Sequence, residues 1–213
     1  MSDATNPLTF TRNPKLDFAL LFGWERWIAA ARAAGVDAVA AWLAGRAQDP
    51  ELAATARELL APALSDESDA EERFDALVSL AELAEELEDD RLADAFWEGA
   101  LDEGLDAADP DAIVEATSRL AALAERNGDP LAAAEYWINF LNWRREPEHS
   151  SDPDQVEDAF DEIVRLAELD GARREAAIWA HRQVEYARLA EEDDEGAVVG
   201  DWTGGAGTWA GWA

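Results

Sequence analysis

Apolar residues recur every three or four positions along most of the chain, and no useful length alternates with a period of two, so the pattern predicts an all-helical protein. A first helix is expected from about Lys15, with Phe18, Leu21, Trp24, Ile28 and Ala31 on one stripe and Gly35 ending it. A second is expected from Asp37 to about Ala47, and a third opens at Pro50 and runs to about Leu60. The stretch SDESDAEE at 65–72 reads as a solvated loop turning into a helix, with Ser68 as the cap and Glu71 completing a capping box. Beyond it the stripes are Phe74, Leu77, Val78, Ala81 and Ala84, then Ala93, Phe96, Trp97, Ala100 and Leu101. Ile113, Ala116, Leu120, Ala121 and Ala124 follow, then Ala133, Tyr136, Trp137, Phe140 and Leu141. The last two are Val156, Phe160, Ile163, Val164 and Ala167, and Ala176, Trp179, Ala180, Val184 and Ala187. At these spacings Phe96, Trp97, Tyr136, Trp137 and Trp179 read as core packing rather than a ligand box.

The helix pairs are versions of one unit. SLAELAEELEDDRLADAFWEGAL (79–101), RLAALAERNGDPLAAAEYWINFL (119–141) and EIVRLAELDGARREAAIWAHRQV (162–184) align, with Ala93, Ala133 and Ala176 in register. The spacings are 40 and 43 residues. A helical hairpin cannot bury its own apolar face, so repeats of this length imply stacked hairpins.

The unit resembles the tetratricopeptide repeat. Leu120–Ala121, Gly128–Asp129, Ala133 and Trp137 fit that family's pattern, as do Leu80–Ala81, Ala93, Trp97 and Ala100. The third unit keeps Ile163–Val164, Gly171 and Ala176 but has Ala180 and Gln183 where an aromatic residue and alanine are expected. WIAAARAAGVDAVAAWLAG (27–45), with Gly35 and Ala40, reads as a weaker early unit. The resemblance implies an α-solenoid of about four hairpins, here with longer loops between repeats. An irregular helical bundle without a groove is the alternative. The expected organisation is an N-terminal arm at 1–14, a repeat domain at 15–191 and a flexible Gly/Trp tail at 192–213.

Charge changes the picture of what such a surface can hold. The formal net charge is −31, with 48 acidic residues against 17 basic ones. A field that negative repels nucleic acid and anionic lipid and favours basic partners. Lys15 is the single lysine among the basic residues. Acid enrichment with lysine depletion is similar to proteins of salt-loving archaea, and a GC-rich genome gives the same profile. Cysteine is absent, which removes disulfides, thiolate metal sites and cysteine nucleophiles. No leader pattern or membrane-length apolar run stands out, so the expected location is cytoplasmic.

The search for catalysis is nearly empty. His149 and His181 form no ligand pair. Asp152 and Asp154 have a calcium-like spacing, but Pro153 and the missing glycine favour helix capping. TGGAGT (203–208) lacks the Lys–Ser/Thr of a phosphate loop. The expectation is a non-enzymatic protein with no cofactor and no metal.

By the resemblance, the exposed face of each first helix lines a concave groove. Those positions are Asp75, Val78, Glu82, Glu85 and Glu86; Glu115, Ser118, Ala122, Glu125 and Arg126; and Asp158, Asp161, Arg165 and Glu168. A basic protein or peptide is the expected ligand; a merely solvated acidic face is the alternative. The tail DWTGGAGTWAGWA holds three tryptophans and four glycines. Trp202, Trp209 and Trp212 would cap the last hairpin, anchor a partner, or mark a substrate for a modifying enzyme. The function expected is an adaptor or scaffold. The alternative is a carrier or precursor that presents its tail to a modifying enzyme.

Overall fold

The computed structural model describes residues 13–144 and 152–193, and among them the fold is all-α. Ten helices follow in chain order: α1 Pro14–Leu20, α2 Trp24–Ala34, α3 Val36–Ala47, α4 Leu52–Ala63 and α5 Ala70–Glu86, then α6 Asp90–Ala107, α7 Pro110–Arg126, α8 Pro130–Arg144, α9 Pro153–Leu169 and α10 Arg173–Asp193. They pack mainly as consecutive neighbours. The chain forms two compact units that divide between Leu123 and Ala124, inside α7.

The connections are built from one recurring device. Asp69, Asp89, Asp109 and Asp129 stand 20 residues apart, and each caps the helix that follows it. Their carboxylates accept the N–H of Glu72 (2.9 Å), Leu92 (3.3 Å), Ala112 (3.3 Å) and Ala132 (3.0 Å). Such a cap satisfies a backbone donor that the first turn leaves orphaned and stabilises by about 1 kcal/mol. Three of these aspartates also close the preceding helix. Asp89, Asp109 and Asp129 donate their own N–H to the carbonyls of Ala84, Gly104 and Ala124 at 2.9–3.0 Å. That bond needs a left-handed residue just before the aspartate, and Glu88, Ala108 and Gly128 supply it with φ of 56°, 51° and 81°. One short linker thus ends one helix and starts the next.

In the first unit α5 lies along α6, and α3 along α4. Leu77, Leu80, Ala81 and Ala84 of α5 are buried with Leu92, Ala93, Phe96, Trp97 and Ala100 of α6. Gly104 of α6 comes close to α7: a Cβ there would stand 3.3 Å from Ala112 and Ile113. In the second unit α9 packs between α8 and α10. Phe160 meets Trp179 and Tyr186, with ring centroids 6.1 and 5.8 Å apart. The aligned repeat positions share one environment. Leu80, Leu120 and Ile163 are buried, as are Ala93, Ala133 and Ala176. Trp97 and Trp137 are buried too, while Ala180 at their place in the third unit is half-buried and the buried Trp179 aligns with Phe96 and Tyr136. Phe96 is buried with them and Tyr136 is half-buried, as a core reading requires.

Several boundaries differ from the expectation. The single helix expected from Lys15 to Gly35 is two, because Gly23 takes φ 83° and breaks it. The break turns the stripe over: Leu16, Ala19 and Leu20 face inward before it and Trp24, Trp27 and Ala31 after it, leaving Phe18 and Leu21 outside. Asp69, not Ser68, caps α5, while the Ser68 carbonyl accepts from Arg73. The chain bends by 117° between α2 and α3, and α3 lies mainly along α4, so 27–45 does not form the hairpin expected of an early unit. The arm ends at Asn13, which caps α1 at Lys15 N–H (3.2 Å); the remainder of the arm and nearly all of the tail fall outside the described residues.

Candidate functional site

The positions expected to line a groove lie on α5, α7 and α9, and burial sorts them. On α5 Asp75, Glu82 and Glu86 are exposed. They stand seven and four residues apart, which places them on one face of a helix. None of the three makes an ion pair or hydrogen bond to another described side chain. Val78 and Glu85 beside them are half-buried. Glu85 is committed inward, where its Oε1 accepts the indole N–H of Trp97 at 2.8 Å. Burying a tryptophan leaves its N–H in need of an acceptor, and the repeat's aromatic residue finds one on the partner helix. On the first-unit part of α7, Glu115 is exposed, and the Ser118 hydroxyl donates to the Glu115 carbonyl at 2.8 Å rather than facing a ligand.

In the second unit Glu125, at the end of α7, meets Arg165 of α9 through a two-point contact of 3.0 and 2.7 Å. Arg165 also reaches Glu162 at 2.7 Å. The hydrogen bonds from Arg165, and after them its charge, hold the Glu125 carboxyl below the usual range. The bonds to Glu125 and Glu162 in turn raise the guanidinium. Asp158 is exposed without a described partner, whereas Asp161 accepts from Gln183 of α10 at 2.7 Å. The residues Ala122, Arg126 and Glu168 are exposed. The acids therefore divide into free ones (Asp75, Glu82, Glu86, Glu115, Asp158) and structural ones (Glu85, Glu125, Asp161). Sequence spacing gives no means of separating them, because the partner of each structural acid comes from another helix.

A second acidic feature lies on α6, where Asp90, Asp94, Glu98, Asp102 and Asp106 follow one another at intervals of four. Glu98 accepts the backbone N–H of Trp24 at 2.9 Å, so α6 caps the start of α2. That start has no side-chain cap of its own, since Gly23 precedes it. Burial, then the charges of Glu98 and Asp90, push the Asp94 carboxyl up to about 6. Partial burial, then Glu98, Asp106, Glu25 and Glu103, push Asp102 to about 6 as well, although one side of it stays open to solvent. These acids lie outside the groove positions, and at this charge density their spacing alone singles out nothing. The cap on α2 appears only in three dimensions.

The remaining candidates resolve simply. Asp152 caps α9 through the Asp154 N–H at 3.0 Å, with Pro153 in the first turn. His181 is exposed, 3.7 Å from Glu185. His149, Trp202, Trp209 and Trp212 lie outside the described residues. Among the described residues no three histidines or acids converge to hold a metal ion, and no single helix is long and apolar enough to cross a membrane.

Together these features define a class, an all-α protein of consecutively packed helix pairs with a repeated internal register. No family model matches the chain, and no curated protein and no solved structure gives a significant match to it.

Proposed function

We propose that the chain is a non-enzymatic adaptor, a TPR-like solenoid that holds a basic protein segment against the outer faces of its first helices. The observation that carries this reading is the α5 face, where Asp75, Glu82 and Glu86 are exposed and free of described partners. An acid buried in a structural ion pair is spent on the fold; an unpaired, aligned row is left for a ligand. On α9 Asp158 is a further exposed acid without a described partner. With a net charge of −31 the whole chain draws cationic segments toward it, and the local row fixes where they settle. The tail tryptophans Trp202, Trp209 and Trp212 serve as apolar anchors beside that electrostatic contact. A cytoplasmic setting of high ionic strength suits this composition.

The test is fluorescence anisotropy with a labelled arginine-rich peptide against the full chain and the D75N/E82Q/E86Q variant. Neutralising the row weakens binding at least tenfold at 0.15 M salt if the face is the site. Equal affinity for the two proteins would mean that the attraction is diffuse and that the face is only a solvated surface.

A further inference from the structure

Three exposed large apolar side chains stand together at the end of α1 and in the turn after it. Phe18, Leu21 and Phe22 are 62%, 58% and 60% exposed. The Phe18 and Phe22 rings lie 4.8 Å apart, so they form one patch. Leu16, Ala19 and Leu20 of α1 are buried, so Phe18 is on the helix's outward side, and Leu21 and Phe22 continue the patch into the turn that follows. Its exposed area is on the order of 300 Å², within the range where a patch on a soluble protein is commonly functional. Elsewhere the exposed large apolar side chains, Leu105, Leu169, Ile178 and Val184, are not adjacent to one another in sequence.

Charge marks what the patch fits. Residues 1–35 hold four basic and three acidic side chains in a chain whose net charge is −31. Here the acidic excess of the chain is locally absent. Lys15 stands three residues before Phe18, on the same side of α1, and Arg26 lies in the first turns of α2. Both are exposed, and neither side chain has a described partner. Of the two acids between them in sequence, Asp17 is already held by Trp42 and Arg46, and Glu25 is exposed beside Arg26. An apolar patch with free cations calls for a ligand that combines aromatic anchors with acids. Residues 191–213 of this chain have that composition: six acids, no base and three tryptophans.

We infer that the Phe18–Leu21–Phe22 patch at the end of α1 receives the acidic, tryptophan-bearing C-terminal segment of a second copy of the chain. Socket and plug are different surfaces at opposite ends of the sequence. Between copies they make a heterologous, head-to-tail contact, which extends to oligomers instead of stopping at a two-fold dimer. The small area makes each contact weak. Mutual repulsion of two chains at −31 weakens it further at low salt, and screening restores it. This inference shares with the proposed adaptor role only the reading of the tryptophans as anchors; the acidic groove plays no part in it.

Sedimentation equilibrium in 0.15 and 1 M KCl, up to several hundred micromolar protein, tests it with full-length variants. The wild type shows a weight-average mass that climbs above 23.3 kDa with concentration, more steeply in the higher salt. F18S/L21S/F22S lacks the socket and W202S/W209S/W212S lacks the plug, and each alone stays at the mass of one chain. Mixed in equal amounts they recover one contact and form a closed pair at twice 23.3 kDa and nothing larger. Circular dichroism confirms that both variants keep their helices. A wild type that is monomeric throughout, including one whose tail folds onto its own α1, overturns the inference, as does a mixture that fails to pair. Peptide binding by D75N/E82Q/E86Q is untouched by either failure, so the adaptor reading stands or falls separately.

Discussion

Replacing Gly99 with alanine should destabilise the first unit, although alanine is the better helix former. Gly99 lies on α6 where the indole of Trp24 crosses it. A Cβ built there would stand 2.6, 2.6 and 2.8 Å from three ring carbons. Ordinary carbon contact is about 3.5–4.0 Å, so the overlap is close to an ångström. The ring has little room to retreat. It stacks on Trp27 at 5.7 Å, and Trp27 is fully buried with its ring edge to face with Phe96 at 5.0 Å. The Trp24 backbone is pinned as well, by Glu98 at 2.9 Å. Overpacking of a locked site falls at the upper end of the usual range, about 2–3 kcal/mol. Helix propensity returns about 1 kcal/mol for Gly→Ala. The net loss is about 1–2 kcal/mol, a fall in melting temperature of roughly 3–7 °C for a chain of this size. Thermal denaturation followed at 222 nm measures it, and the Trp24→Leu background provides the diagnostic. With the ring removed, Gly99→Ala should become neutral or stabilising by up to about 1 kcal/mol, because the propensity gain is left alone. A stabilising Gly99→Ala in the wild type, or the same effect in both backgrounds, would show that α2 does not rest on α6 through Trp24.

Three further outcomes follow from the charges and the linkers. Asp94 and Asp102 titrate at about 6 in the fold, above the ordinary 3.8, so the folded chain holds their protons more tightly than the unfolded chain does. Stability therefore rises as pH falls from about 7.5 through 6, and the gain is complete below the unfolded value near 4. Urea midpoints should show a rise of about 1–2 kcal/mol after allowing for solvent contact, and D94N/D102N should abolish it while being no less stable than wild type at pH 7.5. Ala108 holds φ 51° at a helix end, so Ala108→Gly should stabilise by about 0.5–1 kcal/mol in the same assay. With a net charge of −31, melting temperature should climb between low salt and molar KCl; equal melting in both would remove the halophilic reading.

Much of the architecture is legible in the sequence because helical periodicity and capping are local. The stripes through Leu80, Ala93 and Trp97 and their counterparts mark buried faces before any fold is known, since only one side of each helix is apolar enough to leave water. The aspartates at 69, 89, 109 and 129 belong to the same local code, with Asp69 rather than the adjacent Ser68 as the cap of α5. What the fold alone decides is which of many similar residues is used. Glu82 and Glu85 are three positions apart and chemically identical, yet one is free and the other holds the Trp97 indole. Phe18 and Leu21 belong to the expected apolar stripe, but the turn at Gly23 places them outside. Glu98 caps a helix 74 residues away, and Gly99 exists to admit a ring from that same helix. Periodicity records that a side chain is apolar or charged; its partner is set by which helices lie against each other, and that depends on bends and close contacts that a single residue without a side chain permits.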